Sequence, residues 1–159
     1  MEELERLAAR VEEAAGAFLG ALGRAPRDLV TPPDPETGEQ WDLAHVVGHV
    51  AEMLEFWAAE VAKVAARGEG TPFGRVKASP ERIARIEERA SRPLEILVAD
   101  VERRAGLLAD LVRAISPERM AYRGSHPTRG PMSAAAIVAE FGVDHLEEHA
   151  RQLSEVDGR

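Results

Sequence analysis

Ten residues near the C-terminal end, DHLEEHARQL (Asp144–Leu153), set His145 and His149 four positions apart. On a helix that spacing stacks two imidazoles one turn above the other, so that a single face can grip a metal ion. The chain has five histidines and no cysteine, so any metal has to be held by His, Asp or Glu. Counted at about 100° per residue from Ile137, the apolar residues Val138, Phe141, Leu146, Leu153 and Val156 define an arc centred at roughly 90°, and His145 and His149 fall at roughly 80° and 120°. Glu140, Asp144, Glu147 and Arg151 take the opposite, solvated side. Both rings are therefore expected to point at the centre of the protein. A lone buried histidine is satisfied by hydrogen bonds. Two stacked a turn apart each bring a donor and an acceptor out of water, and a metal relieves this by taking one nitrogen from each. On spacing alone, core packing and a metal clamp both stay open.

A second pair, His45 and His49, stands in WDLAHVVGHVAE (Trp41–Glu52). Here the apolar arc centres near Val50. His49 lies about 110° from that centre, on the flank of the buried face, and His45 about 150° away, nearer to solvent. His45 also falls in the first helical turn, where the dipole disfavours a positive charge. His49 reaches a site between helices only if its helix neighbours the one that carries His145 and His149.

The elements that have to position these residues are helical. The 159 residues are rich in Ala, Leu, Glu and Arg, with only two Trp, one Tyr and four Phe, a composition that favours a helical bundle. A first amphipathic stripe runs through Leu4, Leu7, Val11, Ala14, Phe18 and Leu22 and fades at Gly23. After a proline-rich loop, Asp42 is placed to cap a second helix with the stripe Leu43, Val46, Val47, Val50, Met53, Leu54, Trp57 and Val61. Ser79, Pro80 and Glu81 open a third, which Pro93 kinks or restarts. The last opens at Ser133, with Met132 and Ile137 spaced for a hydrophobic staple. No repeat or strand alternation interrupts the pattern. The expectation is one all-α domain over residues 1–159, a four-helix bundle.

A net charge of −8 gives no basic footprint for nucleic acid or an anionic membrane. The opening MEELERLAAR is unlike a signal peptide, and no apolar run reaches membrane-spanning length. A cytoplasmic protein acting on a small molecule is expected.

The Trp41–Glu52 stretch resembles the signature of the DinB/YfiT-like metalloenzymes, in which a His follows a Trp by eight positions, as His49 follows Trp41. The run HPTRGPMSAAAIVAEFGVDHLEEHARQL is similar to that family's H-P-x-x-G loop, helix start and H-x3-H ending. The resemblance spans Trp41 to Leu153. It implies a four-helix bundle, often a homodimer, with a divalent metal on three histidines near one end. Carried onto this chain they are His49, His145 and His149. The family position matching His45 commonly holds an acidic or amide residue, so His45 is a departure.

Three neutral imidazoles leave an ion its full charge and at least one open position, the layout of a catalytic site. Zn2+ or Ni2+ suits such donors. Glu52, Asp144 and Glu148 are candidates for orienting ligand N–H groups or carrying protons, and His126 or Arg129 in the YRGSHPTRGPM loop for meeting substrate. Characterised members of the resembled family include S-transferases and isomerases that use low-molecular-weight thiols such as bacillithiol and mycothiol. The leading expectation is therefore a metal-dependent thiol S-transferase, with His126 and Glu148 as candidate catalytic residues. A metal-dependent hydrolase would use the same three ligands. A noncatalytic dimeric module would instead close the metal with a fourth protein ligand such as His45. HLEEH also matches the H-x-x-E-H protease pattern, but that scheme needs a further downstream ligand and Glu155 is the one carboxylate in reach. A di-iron bundle lacks its paired Glu-x-x-His motifs.

Overall fold

The computed structural model describes residues 2–157, with side chains described through Glu155. Val156, counted above in an apolar arc, thus lies outside the described side chains. Helix α1 (Glu2–Arg24) buries Leu4, Leu7, Val11, Ala14, Phe18 and Leu22, the stripe its sequence spells out. Helix α2 (Leu43–Arg67) starts where Asp42 Oδ1 accepts from the His45 backbone N–H at 2.9 Å. It ends at Gly68, whose φ of +92° is a conformation side chains resist.

The expected third helix is two. Helix α3 (Pro80–Ala90) stops before Pro93 and α4 (Leu94–Ala114) restarts after it, because Pro93 has no N–H to continue the ladder. Pro80 takes the first helical position, although the Ser79 hydroxyl makes no capping bond. The end of α3 lies so close on α2 that a Cβ at Gly48 would stand 3.2 Å from the Ala90 nitrogen. In the bundle α1 packs between α4 and the last helix, and α2 between α4 and the start of the last helix. The second and last helices are therefore neighbours, the condition His49 needs.

Beyond a short turn α5 (Pro117–Met120) comes a feature with no sequence forecast, an antiparallel hairpin of β1 (Arg123–His126) and β2 (Gly130–Ser133). Its strands are four residues long and include Gly124 and Pro131, too short and irregular for an alternation signal. They are held from outside: Ser125 donates to Thr71 O at 2.8 Å, and Phe73 donates to Ser125 O at 3.1 Å. Ser133 then caps the next helix, accepting from the Ala136 N–H at 3.0 Å, with Met132 and Ile137 both buried at the staple positions.

That last helix is not uniformly α. A short α6 (Ala134–Ile137) leads into a π-helical segment (Val138–Asp144), and α7 (His145–Asp157) follows. A π turn takes up one residue more than an α turn, so the helix beyond it is rotated by about 100° relative to a continuous α-helix. The 100° count placed His145 and His149 at the middle of the apolar arc. The π segment turns them toward its flank, on the side of α2. No helix among the described residues is long and apolar enough to cross a membrane.

Candidate metal centre

His49 sits two turns into α2 and is 3% exposed, more deeply buried than a flank position implies, because α2 is packed by α3, α4 and the last helix. The Trp41 ring lies against it at 4.8 Å between centroids. His145 and His149 stack at 4.8 Å with planes 25° apart, one turn above one another at the start of α7. The His49 ring meets both edge-on, at 5.1 Å and 4.9 Å. Its Nε2 lies 3.3 Å from His145 Nε2.

One nitrogen from each of the three lies within 4.8 Å of the others. Among the described residues, no carboxylate and no fourth histidine joins the group. His149 Nδ1 faces Gln152 Oε1 at 2.9 Å; the amide oxygen only accepts, so the proton is on Nδ1 and Nε2 carries a bare lone pair. That Nε2 is buried without a hydrogen-bond partner. An orphaned buried acceptor aimed into a cluster of imidazoles is what a metal ligand looks like before its ion is present. Two bonds of about 2.1 Å at a tetrahedral angle set their nitrogens about 3.4 Å apart, so three nitrogens that lie within 4.8 Å of one another would draw in around an ion.

Electrostatics keep the donors unprotonated. Burial, then the neighbouring His149 and His145, then Arg82 and Arg75, hold His49 well below the usual histidine range. Burial and the adjacent His149 push His145 down to about 3. His149 is lowered by burial, against the opposing pull of its Gln152 bond and of Glu148. At neutral pH all three offer lone pairs, which a divalent cation requires.

The remaining sequence candidates go elsewhere. His45 is tied at both nitrogens, to Asp42 Oδ1 at 2.8 Å and Glu87 Oε1 at 3.0 Å, and stays out of the group. Glu52 is buried but gripped by Arg75 through both carboxylate oxygens. Asp144 is exposed, 3.9 Å from Arg10. Glu148 is exposed at the rim of a cleft of about 720 Å³ whose floor includes the three histidines. His126 lines the same cleft, packed with Trp57, Phe73 and Phe141 rather than with the other histidines. Arg129 pairs with Glu140, its guanidinium 5.6 Å from the Phe141 ring.

The segments around 31–40 and 69–79 carry no helical stripe in the sequence. They form cleft wall: Lys77 pairs with Asp34, whose carboxyl is held well below the usual carboxylate range chiefly by that contact. Arg82, 5% exposed, donates to Glu39 Oε1 at 3.0 Å. Gln152 was also missed, although its i+3 spacing from His149 is the signal that finds it.

The DinB superfamily profile matches residues 3–153. The chain belongs to the DinB superfamily. Solved structures of low sequence identity share the fold. YfiT from Bacillus subtilis, described as a probable metal-dependent hydrolase with an unusual four-helix bundle topology, is 16% identical with a TM-score of 0.78, covering 100% of this chain and 88% of that one. A mycothiol-dependent maleylpyruvate isomerase is 16% identical with a TM-score of 0.64, covering 98% of this chain but 59% of its own. The colibactin self-resistance protein ClbS, solved with a double-stranded DNA, is 13% identical with a TM-score of 0.70, covering 98% and 96%. No curated protein matches the sequence.

Proposed function

We propose that this DinB member is a metal-dependent enzyme in which His49, His145 and His149 hold a divalent ion, Zn2+ or Ni2+, with a coordination position open to the cleft. The observation that carries the reading is the buried, unpartnered Nε2 of His149 in a group that no fourth donor among the described residues closes. A brace would need that fourth donor, and His45, the candidate for it, has both nitrogens engaged.

The preferred reaction is transfer of a low-molecular-weight thiol onto an electrophile. Bound on three neutral ligands, the ion supplies a full double positive charge that favours the ionised form of a thiol or water. The chain has no cysteine of its own, so in this reading the thiol comes from outside the chain; a structurally similar isomerase is mycothiol-dependent. Gln152 fixes the tautomer and orientation of His149. Glu148, exposed at the rim beside His149, takes the thiol proton to solvent. The thiolate sulfur forms the new bond to carbon and the leaving group departs with its electron pair.

The description of YfiT supports a second reading, hydrolysis by activated water at the same ligands. One pair of assays separates them. Zinc-loaded protein is given 1-chloro-2,4-dinitrobenzene with bacillithiol, mycothiol or coenzyme A, and separately p-nitrophenyl acetate without thiol. Thioether formation with chloride release, dependent on thiol and lost in His149→Ala, is expected. Thiol-independent ester cleavage, lost in the same variant, would replace transfer with hydrolysis.

A further inference from the structure

The cleft holds a second built feature away from the three histidines. His126, 7% exposed, closes the hairpin strand β1. Its Nδ1 receives the backbone N–H of Thr128 at 3.2 Å and that of Arg129 at 3.1 Å. Backbone N–H groups only donate, so Nδ1 is an acceptor and the ring proton is on Nε2. Protonating Nδ1 would set an N–H against two others, and burial and the nearby Arg129 act in the same direction, lowering the affinity of the ring for a second proton. The ring is therefore a fixed donor and cannot serve as a base, since its lone pair is already used.

That donor opens to the cleft. The hydrogen bonds of His126 to described residues are all at Nδ1; neither its Nε2 nor the Trp57 indole nitrogen is among the buried atoms left without a partner, and both residues line the cleft. Around them the wall is aromatic. Trp57 and Phe141 stack at 4.2 Å with planes 10° apart, and the His126 ring lies near-parallel to Phe141, 5.6 Å away. The ring is also locked in place. Gly74, at a φ of +89°, approaches so closely that a Cβ there would stand 2.3 Å from His126 Cδ2 and 2.8 Å from Nε2.

We infer that this wall is the electrophile subsite: a flat, conjugated substrate lies along Trp57 and Phe141 while His126, as the Nε2–H tautomer, donates a hydrogen bond to its carbonyl or nitro oxygen. The inference rests on the metal-centred reading for calling the bound molecule a substrate. The binding itself does not need the ion. Withdrawing electrons through that oxygen also makes the conjugated carbon more open to attack from the metal side of the same cleft.

The test uses the full chain, labelled with 15N, with the metal content of the same sample measured separately so that a missing ion and a missing subsite are told apart. Long-range proton–nitrogen correlation reads the His126 tautomer. Three probes are then titrated: trans-cinnamamide, flat with an acceptor; trans-β-methylstyrene, flat without one; and 3-cyclohexylpropanamide, with an acceptor but not flat. The expected result is an Nε2-protonated ring, cinnamamide shifts centred on His126 and the Trp57 indole, and about tenfold tighter binding of cinnamamide than of either analogue, the worth of one well-placed hydrogen bond. His126→Leu loses that tenfold, and His126→Gln, whose amide N–H reaches the Nε2 position, restores it to within about threefold. Gly74→Ala, which drives a methyl group into the ring, weakens cinnamamide with His126 itself intact. An Nδ1-protonated ring, equal affinity for the three probes, or a His126→Leu variant that is folded and binds as the parent does would overturn the inference.

Discussion

The Nε2 atoms of His49 and His145 lie 3.3 Å apart although 96 positions separate them in the chain. Neither can hold that position for its own sake: two neutral imidazoles share one hydrogen bond at most, while His149 Nε2 beside them has none. Convergence of three imidazoles, two of them buried, costs free energy without a partner and is favourable around a cation.

The first prediction concerns acid. His49, His145 and His149 are all lowered in the fold, so the unfolded chain binds protons that the native protein refuses. Their contribution is unchanged above about pH 6.5 and is lost as pH falls from there toward 3, the value for His145. Urea unfolding of metal-free protein should lose stability between pH 7 and 5, at up to about 1.4 kcal/mol per pH unit for each proton taken up. A midpoint that stays flat over that interval would show that the rings are solvated.

His45 moves the other way. Burial opposes its protonation, but Asp42 and Glu87, one on each nitrogen, together raise it above the usual histidine value. Its contribution is present in full below about pH 6.5 and fades as pH rises through the raised value. His45→Ala should cost about 1 kcal/mol or less at pH 6 and still less at pH 9, with metal stoichiometry unchanged. Loss of metal in that variant would make His45 a ligand and revive the structural brace.

Gln152 touches His149 and would act on a bound metal only through it. Gln152→Leu should remove the acceptor for His149 Nδ1–H and weaken zinc binding by about 10–100-fold in competition with a chelator, with Gln152→Glu at least as tight as the parent. Equal affinity in Leu and parent would mean that the Gln152 contact does not orient the ring.

The π segment is the least local of the devices. Deleting Gly142, in the middle of it, lets the last helix run as continuous α and turns His145 and His149 by about 100°. Helical content by circular dichroism should be kept while zinc binding is lost. A deletion variant that binds zinc like the parent would show that the segment has no part in placing the ligands.

These devices mark how far the sequence could be read. The stripes of α1 and α2, the Asp42 and Ser133 caps and the break at Pro93 are local signals, and each stands where its residues put it. The three histidines were found by spacing and family pattern, and their meeting depends on α2 lying beside the last helix, which no local rule states. The π segment was invisible because its residues, VAEFGVD, fit an α-helix equally well; packing selects the wider turn. The hairpin was invisible because Thr71 and Phe73, some fifty residues earlier, supply the hydrogen bonds that hold it. Arg75 and Lys77 stand in a connector and Arg82 in the first turn of α3, and their place at the cleft comes from pairing with Glu52, Asp34 and Glu39.

The most direct test is the metal content of untagged protein isolated without chelator, beside His49→Ala and His149→Ala. Near one equivalent of divalent metal in the parent and its loss in both variants, with folding retained, is the predicted result. A parent that is isolated without metal and takes up neither added Zn2+ nor Ni2+ would contradict the account and leave the three histidines as core residues.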